Sequence, residues 1–493
     1  MKYIMSIDQG TTGSTVLILD QGGSLVSEAS IDFKQIYPKA GWVEHDPNDI
    51  WNSVESCARQ ALQQAKLKPS DILTIGITNQ RETVVAWKKS NSEILHNAIV
   101  WQCRRTSEMC EKLKPKWSVK IKNKTGLVLD AYFSASKMRW MLENIKAVKE
   151  AAKKNDLAFG TIDTFILWKL THGKSYFTDV SNASRTMLMN LKTLAWDDEL
   201  LKLFKVSKEY LPQIKSSADF FGTAENISFV SNQTTITGIA GDQQSALFGQ
   251  ACFNVGDSKC TFGTGSFILM NTGHQILKSK VKMLTTVAWK IKNEKPVYAL
   301  EGGAFICGAA VQWLRDGLQL FDKASDIEVL AKTVSDSNGV EFVPALVGMG
   351  APYWQQQARG EITGLTRGVT KAHIARATLE AMALQNADIL LAMQKDLKKK
   401  IKSVKVDGGA SSNNLLMQLQ ADYLQTKVIR PKQVETTGMG AAYLAGLGAG
   451  VWKNLSEIQK IWIKDQEFIP KISKKDLALR IKRWNKAIQK AMR

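Results

Sequence analysis

The chain has 493 residues, 44% of them hydrophobic and 23% charged, with a formal net charge of +20. This length predicts two or three domains with cores of their own, and the balanced composition excludes an intrinsically disordered chain. The basic residues are scattered and no nucleic-acid-binding module is visible, so we interpret the charge as a solvated surface and expect no nucleic acid as a partner.

The chain begins with a strand, a short turn and a second strand within residues 3–20. The first strand ends near Asp8, and glycine and hydroxyl residues fill the turn: Gly10, Thr11, Thr12, Gly13 and Ser14. Successive backbone N–H groups in such a turn can converge on an oxyanion, and Asp8 can hold Mg²⁺ through water. The alternative is a β-hairpin whose polar turn binds nothing.

The rest of the first half alternates helices and strands. We predict a helix that begins at Asp46–Pro47, a buried strand over Ile72–Thr78 and a helix over Tyr132–Lys149. A further strand over Ile236–Ala240 runs directly into Gly241 and Asp242. Polar residues therefore follow the ends of several buried strands, where ligands commonly bind in α/β folds.

The strand–turn–strand pattern recurs about halfway along the chain. Strands over Gly256–Phe262 and Phe267–Met270 flank Gly263–Ser266, which again combines glycines with hydroxyl side chains. We therefore expect an α/β protein of two similarly built domains, residues 1–250 and 251–493, with a ligand in the cleft between them.

The second half continues the alternation of helices and strands. We predict a strand over Val297–Glu301, a helix over Gly302–Leu318, a long helix over Ile374–Met393, and a strand over Val404–Val406 that leads into Gly408–Gly409. Apolar residues of the basic C-terminal segment share one helical face: Leu477, Ile481, Trp484, Ile488 and Met492. We expect this helix to dock on its own protein rather than on a membrane.

Cysteine spacing and the absence of a long apolar run favour a cytoplasmic protein. The six cysteines show no paired metal-ligand spacing, which is typical of reduced thiols. No apolar run could span a bilayer, and the early strand argues against a signal peptide. The five histidines form no cluster, so we assign none of them to a metal or to catalysis.

Asp242 is the best candidate for catalysis. It follows a buried strand and precedes a helix, where a carboxylate can take the proton of a substrate hydroxyl while that oxygen attacks phosphorus. The alternative role is an N-cap of a helix over Gln243–Gln250, which is compatible with catalysis. Neither a Walker A sequence nor a GxGxxG sequence is present, which argues against P-loop and Rossmann nucleotide sites.

Arg81 and Glu82 form a second candidate constellation at a strand end. In a cleft, the guanidinium donates and the carboxylate accepts, so that the pair can grip neighbouring hydroxyl groups. The alternative is a surface ion pair that contributes little. Three aromatic residues could enclose a carbon skeleton, although each could equally belong to the core: Trp101, Tyr132 and Phe267.

These residues and motifs resemble the FGGY family of carbohydrate kinases, and within it the members that act on glycerol. The resemblance runs from Tyr3 to about Trp452. Six segments carry it: Gly76–Glu82, Asn97–Thr106, Tyr132–Asn144, Gly238–Gln244, Gly348–Trp354 and Gly360–Glu380. It implies two ribonuclease-H-like domains of the actin, hexokinase and Hsp70 type around a central nucleotide cleft. It also implies ATP-dependent phosphorylation of glycerol to sn-glycerol 3-phosphate in glycerol uptake and degradation.

The resemblance carries site roles over to matching positions of this chain. The residues matching the glycerol site are Arg81, Glu82, Trp101, Tyr132, Asp242, Gln243 and Phe267. The residues matching the nucleotide site are Thr11, Thr12, Gly13, Thr264, Gly308, Gln312, Gly409 and Asn413. Asp242 matches the catalytic base, and Asp8 with Asp242 matches the Mg²⁺ site. ATP and Mg²⁺ are thus the expected cofactors, and a homo-oligomer (dimer or tetramer) is the expected assembly.

Two positions depart from the family pattern. Gly13 stands where relatives commonly carry serine, and Thr15 stands where many carry an arginine near the phosphates. We therefore expect weaker nucleotide contacts at this turn.

Other functions compete with this interpretation. The nearest is an FGGY kinase for a longer polyol or a pentulose, and a more distant one is a non-catalytic assembly protein with the same fold. The joint presence of Arg81, Glu82 and Asp242 argues against the second. Binding of nucleic acid is suggested only by the net charge.

Overall fold

The computed structural model describes residues 2–355 and 357–493, which form an α/β protein with two large sheets. The strands are β1 Tyr3–Gln9, β2 Gly13–Leu19, β3 Leu25–Asp32, β4 Glu44–His45, β5 Ile72–Asn79, β6 Val84–Lys88, β7 Ile94–Ile99, β8 Leu157–Thr161, β9 Phe177–Asp179, β10 Met189–Asn190, β11 Ala195–Trp196, β12 Gln213–Lys215, β13 Ala218–Thr223, β14 Thr235–Gly241, β15 Ser258–Phe262, β16 Ser266–Gly273, β17 Leu284–Trp289, β18 Val297–Ala304, β19 Glu341–Val343, β20 Glu361–Thr363, β21 Ser403–Asp407, β22 Lys427–Pro431 and β23 Lys464–Phe468.

Helices cover the faces of these sheets and connect their strands. The α-helices are α1 Pro47–Ala65, α2 Ser107–Thr125, α3 Ser134–Asn144, α4 Lys146–Lys153, α5 Ile162–Leu170, α6 Val180–Ala183, α7 Asp198–Phe204, α8 Asp242–Gly249, α9 Gly308–Gln312, α10 Asp326–Lys332, α11 Lys371–Leu397, α12 Asn414–Leu424, α13 Thr436–Gly448, α14 Leu455–Ile461 and α15 Lys474–Ala491. Short 3₁₀ turns occur at Pro69–Asp71, Lys208–Tyr210 and Gly409–Ser412, and a π-helical turn at Trp313–Gly317.

The two large sheets share the arrangement of six strands, and the second sheet has one further edge strand, β17. The first has the order β13-β14-β5-β1-β2-β3, and the second has the order β17-β18-β16-β15-β21-β22-β23. In each, a hairpin (β1–β2 or β15–β16) is followed by two strands parallel to its first strand. The expectation of two similarly built α/β units is confirmed, while the boundary between residues 250 and 251 stays a prediction.

Helices α8 and α13 lie between the sheets. Helix α8 contacts strands of both sheets, and α13 packs across β1, β5 and β14 of the first. Their core joins residues from both halves of the chain: Ile4, Leu17, Leu247, Phe248, Leu269, Trp289, Met439 and Leu444. Helix α13 therefore covers a face of the first sheet, although it belongs to the last quarter of the sequence.

Glycine allows the close contact between α8 and α13. A Cβ atom on Gly440 would overlap the Ser245 carbonyl oxygen. We predict that Gly440→Ala lowers the free energy of unfolding by about 1–3 kcal/mol, because the helices must separate to admit the methyl group. Thermal and denaturant unfolding measure the change. Gly368→Ala is the control, since the nearest atom to its Cβ would be Asn338 Nδ2 at 3.9 Å. Equal stability of the two variants would contradict the prediction.

Two predicted helices differ from the structure. The helix expected over Tyr132–Lys149 is interrupted by the extended backbone of Ile145, and separate helices α3 and α4 result. The helix expected over Gly302–Leu318 is wrong at its start, because β18 continues to Ala304 by pairing with β16. It is also short, since α9 passes into the π-helical turn.

The C-terminal helix docks on its own protein, as predicted. Trp484 and Ile488 of α15 are buried, and Trp484 Nε1 donates to Asp388 Oδ2 of α11 at 2.7 Å. Met492, expected on the same face, lies beyond the helix and is 36% exposed. Within the described ranges, none of the helices is long and apolar enough to cross a membrane.

Candidate active site

The site forms where parallel strands of the first sheet end together. Strands β1, β5 and β14 are parallel, so their carboxyl ends meet at one edge. Asp8 lies at the end of β1, Arg81 and Glu82 follow β5, and Asp242 follows β14. Four of the residues expected at the site are therefore brought to one edge by the strand order.

Arg81 and Asp242 are in direct contact. Arg81 Nε lies 2.9 Å from Asp242 Oδ1, and the Arg81 side chain is only 2% exposed. A Cβ atom on Gly241 would lie 2.7 Å from Arg81 Cδ and Cγ, so the glycine leaves room for this side chain. Burial opposes the charge on Arg81, but Glu301, Glu82 and Asp242 outweigh it and raise the Arg81 pKa well above its usual value. The guanidinium is thus held charged.

Asp242 is not the N-cap of the helix that it begins. The helix starts at Asp242 and its N-cap is Gly241, while the Asp242 carboxylate accepts from the adjacent Gln243 N–H at 2.6 Å. The capping role is therefore wrong. The Asp242 side chain is 28% exposed, and Oδ2 accepts no hydrogen bond from the described part of the chain. One carboxylate oxygen is anchored and the other is open to a substrate.

Glu82 is buried and adopts an unusual backbone conformation. Its φ angle is +64°, in the left-handed region that residues other than glycine rarely adopt. Such conformations persist where the surrounding structure enforces them, commonly at functional sites. The Glu82 side chain is 1% exposed, and Arg81 Nε lies 4.0 Å from Glu82 Oε1. The alternative of a surface ion pair is therefore wrong.

Arg81 and Glu82 each keep one hydrogen-bonding group available for a ligand. Arg81 donates through Nη1 to Gln244 and Glu301 and through Nη2 to Glu301, which leaves one Nη2 hydrogen without a partner among the described residues. Glu82 Oε1 accepts from Arg185, while no hydrogen bond within the described ranges reaches Glu82 Oε2. With Asp242 Oδ2, one donor and two acceptors remain for a ligand rich in hydroxyl groups.

Two of the three predicted aromatic wall residues are in contact. The rings of Trp101 and Tyr132 pack edge to face with centroids 5.4 Å apart. Trp101 Nε1 donates to Thr11 Oγ1 at 3.0 Å, which ties this wall to the β1–β2 turn. Phe267 is half-buried on β16 and makes no ring contact with either residue in the described structure, so its role stays a prediction.

Gln243 is turned toward the second sheet. Its side chain is buried, and Gln243 Oε1 accepts from the buried ammonium group of Lys259 on β15. Burial lowers the Lys259 pKa although Asp407 and Asp242 act in the opposite direction. The expected contact of Gln243 with a substrate stays a prediction.

The β1–β2 turn is as tight as its glycines predict. Gly10 N–H donates to the Gly13 carbonyl at 2.9 Å, and Thr12 is exposed at the tip. A Cβ atom on Gly13 would lie 2.6 Å from Asp32 Oδ1 and 2.8 Å from the Ile31 carbonyl. Thr15, which lies on β2, uses its hydroxyl to contact Ser30 Oγ at 2.8 Å. Gly13 therefore allows β2 and β3 to approach closely. The turn forms a β-hairpin and is also a candidate phosphate-binding loop.

The remaining predicted nucleotide residues lie on two adjacent loops of the second sheet. Gly308 N–H donates to the Gly263 carbonyl at 2.9 Å, which joins the start of α9 to the β15–β16 turn that contains Thr264. Gln312 is exposed at the end of α9. A Cβ atom on Gly408 would lie 2.7 Å from the Phe262 carbonyl, so the loop after β21 runs beside this turn.

Gly409 and Asn413 lie on that second loop. Gly409 is exposed with open space around its Cα, and Asn413 Oδ1 accepts from Leu416 N–H at 2.8 Å as the N-cap of α12. The β15–β16 turn and the loop after β21 therefore lie next to the starts of α9 and α12, and helix starts bind phosphate groups well.

Acidic residues surround Asp8. Burial, followed by the charges of Asp242 and Glu435, raises the Asp8 pKa well above its usual value. A divalent cation would offset this mutual repulsion, and Mg²⁺ is commonly held by one or two carboxylates plus phosphate oxygens and water. Among the described residues, no group of three or more His, Cys, Asp or Glu side chains could hold a metal by itself. The donor set therefore fits a cation that arrives with a phosphate ligand.

Sequence reasoning missed three buried charged residues around this site. Glu301 lies within the apolar strand β18, Lys259 within β15, and Arg185 just after α6. Arg185 Nε lies 2.7 Å from Glu82 Oε1, and Arg81 Nη1 lies 2.7 Å from Glu301 Oε2. A charged residue inside a predicted strand was the available signal for Glu301 and Lys259, since such residues are almost never buried unpaired.

Comparison with known proteins matches two family domains to this chain. Residues 3–249 match the N-terminal domain, and residues 258–449 the C-terminal domain, of the FGGY family of carbohydrate kinases. A protein named glycerol kinase from Bdellovibrio bacteriovorus is 60% identical over 490 residues, which cover 99% of each chain. A protein of the same name from Dichelobacter nodosus is 52% identical, covering 99% of this chain and 98% of that protein.

Solved structures show the same architecture. The glycerol kinase of Plasmodium falciparum, crystallised with ADP, has a TM-score of 0.93 at 36% identity and covers 100% of this chain and 98% of that chain. A xylulose kinase from Lactobacillus acidophilus has a TM-score of 0.88 at 26% identity, covering 99% and 97%. The fold is therefore that of two-domain carbohydrate kinases.

Proposed function

The chain belongs to the FGGY family of carbohydrate kinases, and from this premise we propose that it transfers the γ-phosphoryl group of ATP to glycerol, forming sn-glycerol 3-phosphate. The observation that carries this assignment is the Arg81–Asp242 contact at 2.9 Å, which leaves Asp242 Oδ2 open at the sheet edge that also bears the β1–β2 turn. Relatives named glycerol kinase that are 50–60% identical over 99–100% of this chain support it.

Arg81 and Glu82 bind and orient the substrate in this reaction. The remaining Arg81 Nη2–H donates to one hydroxyl, and Glu82 Oε2 accepts from another. The Trp101–Tyr132 pair covers the carbon skeleton, and the Trp101 bond to Thr11 keeps that cover next to the phosphate turn. A short triol is thereby presented with one terminal hydroxyl toward Asp242.

Asp242 then acts as the general base. Its Oδ2 takes the proton of the terminal hydroxyl as that oxygen attacks the γ-phosphorus, and the bond to the β-phosphate oxygen breaks to release ADP. Arg81 Nε and the Gln243 N–H hold Oδ1, so the carboxylate keeps its orientation during the transfer. A Mg²⁺ ion held with Asp8 and Asp242 would neutralise phosphate charge.

The nucleotide is proposed to lie across the two sheets. Thr11, Thr12 and Gly13 would contact its phosphates from the first sheet, and loops of the second sheet would hold the rest: Thr264, Gly308, Gln312, Gly409 and Asn413. The exposed Thr12 at the tip of the β1–β2 turn and the open space around Gly409 support this arrangement. A cytoplasmic homo-oligomer, dimer or tetramer, completes the proposal. The six free, buried cysteines suit a reducing compartment.

A substrate panel tests the assignment. Purified protein with ATP and Mg²⁺ is assayed for ADP release with glycerol, erythritol, xylulose and gluconate, and glycerol 3-phosphate is identified by a coupled dehydrogenase assay. We expect kcat/KM for glycerol to exceed that of each longer substrate by at least about 100-fold, since wrong substrates leave buried polar groups unpaired. A preference for xylulose or a longer polyol would assign the chain to the rival kinase activity.

A further inference from the structure

A closed ring of buried charges lies behind the proposed polyol site. We call Arg81, Glu301, Arg185 and Glu82 the charge ring. Arg81 Nη1 and Nη2 donate to the two Glu301 oxygens at 2.7 and 2.8 Å. Arg185 Nη2 lies 3.1 Å from Glu301 Oε1, and Arg185 Nε lies 2.7 Å from Glu82 Oε1. Positive and negative groups alternate, and each side chain is at most 3% exposed.

The ring joins elements that are far apart in the sequence. Arg81 and Glu82 follow β5 of the first sheet, whereas Glu301 lies on β18 of the second sheet. Burial alone would raise the Glu301 pKa, but Arg185 and Arg81 outweigh it and lower the pKa to about 2. Glu301 is therefore a fixed negative charge that the second sheet contributes to the first.

Arg185 follows helix α6, which contacts the ends of both β5 and β14. Asn182 and Asn79 exchange reciprocal side-chain hydrogen bonds at 3.1 Å, and Ser181 Oγ accepts from Gly241 N–H at 2.9 Å. The Arg185 guanidinium lies 5.8 Å from the Tyr132 ring centroid. Arg185 thus connects Glu82, Glu301 and the aromatic wall.

The ring determines which atoms of Arg81 and Glu82 face a ligand. Glu301 accepts one hydrogen bond each from Arg81 Nη1 and Nη2. Glu82 Oε1 accepts a hydrogen bond from Arg185 Nε. Without Glu301, the Arg81 guanidinium could rotate about its Cδ–Nε bond, and without Arg185, Glu82 would lose the partner that fixes its orientation. Misplacement of such groups by about 1 Å is enough to cost about 100-fold in rate.

Resting on the proposed glycerol phosphorylation, we propose that Glu301 and Arg185 are positioning residues that set the orientation of Arg81 and Glu82 toward the substrate hydroxyls. The polyol pocket is complete only while Glu301 of the second sheet reaches Arg81 of the first. Neither residue needs to touch the substrate, and both act through the groups that do.

A second buried cluster provides a matched control. Arg480 of α15 contacts Glu341 at 2.6 Å and Glu380 at 2.9 Å, with side-chain exposures of 4–8%. It has the same chemistry and similar burial as the charge ring, but it joins α15 to β19 and α11, which carry none of the proposed site residues. Glu341→Gln therefore shows what the loss of a buried ion pair does by itself.

The test compares Glu301→Gln with Glu341→Gln in the full-length protein. We expect Glu301→Gln to lower kcat/KM for glycerol by about 100-fold while KM for ATP changes less than about twofold. Glycerol affinity without nucleotide, measured by calorimetry, falls in parallel. Glu341→Gln is expected to lower the melting temperature by a similar amount and to leave kcat/KM within about twofold. Unchanged glycerol kinetics in Glu301→Gln, or an equal rise in KM for ATP, would overturn the positioning role.

Rescue at position 185 provides an independent readout. Arg185→Lys keeps a cation beside Glu82 and is expected to retain at least about tenfold more kcat/KM than Arg185→Met, which keeps none. Equal loss in both variants would contradict the role of Arg185. If the wild-type protein prefers another polyol, the proposed substrate is wrong, but the same variant-to-wild-type ratios measured with that polyol still decide the positioning role.

Discussion

Asp242→Asn is expected to reduce kcat by about 1,000-fold, because a general base contributes about 10²–10⁴-fold to such reactions. Asparagine has the same shape, and its oxygen can still accept from Arg81 Nε and the Gln243 N–H, which Asp242 Oδ1 contacts at 2.9 and 2.6 Å. Glycerol affinity should therefore change less than about tenfold. Initial-rate kinetics and calorimetric binding to the same preparation separate the two effects.

Asp257→Asn is the control for this substitution. Asp257 lies before β15, at the opposite end of that strand from the β15–β16 turn, and its carboxylate accepts from Asn254 N–H at 2.9 Å. We expect its kcat to stay within about twofold of wild type. Wild-type turnover in Asp242→Asn would exclude Asp242 as the base, whereas a large loss of glycerol affinity with unchanged kcat would make it a binding residue only.

Arg81→Met is expected to have the largest effect on stability and to abolish measurable glycerol phosphorylation. The substitution leaves Glu301 without its paired donors and removes the Nε contact of Asp242. Breaking a buried ion pair by removing one partner costs about 3–5 kcal/mol of unfolding free energy, because an uncompensated charge stays buried. Thermal and denaturant unfolding measure the loss, and the coupled assay measures activity.

Arg81→Lys separates charge from geometry at this position. Lysine restores a cation but not the planar fork that reaches two Glu301 oxygens and Asp242 together. It should recover more than half of the lost stability while kcat/KM for glycerol stays at least about 100-fold below wild type. Arg81→Met with wild-type stability would contradict the buried-charge account, and full activity in Arg81→Lys would show that the fork is unnecessary.

Local sequence patterns predicted those parts of the site that follow strand ends. Asp8 lies at the end of a buried strand, Arg81, Glu82 and Asp242 follow such strands, and parallel strands bring their carboxyl ends together. The duplicated hairpin turns could also be predicted from local sequence, because glycine and hydroxyl residues recur between two strands in both halves. These features depend on a few neighbouring residues and on one topological rule.

The charge ring could not be predicted in this way. Glu301 is surrounded by apolar and small residues in a strand, and nothing near it in the sequence reveals that its partners are Arg81 and Arg185. The pairing depends on how two sheets dock, which local patterns do not specify. Likewise, β18 extends into the predicted Gly302–Leu318 helix because pairing with β16 outweighs local preference.

The position of helix α13 has a consequence for synthesis on the ribosome. Strands β1, β5 and β14 are complete once residue 241 has emerged, but the helix that covers their face ends at Gly448, about 200 residues later. At a translation rate of about 5–20 residues per second, the apolar face of these strands stays uncovered for roughly 10–40 s before α13 is synthesised. The nascent first half therefore exposes an apolar surface while these intervening residues are being synthesised, and a chaperone that shields it would act before the chain is released.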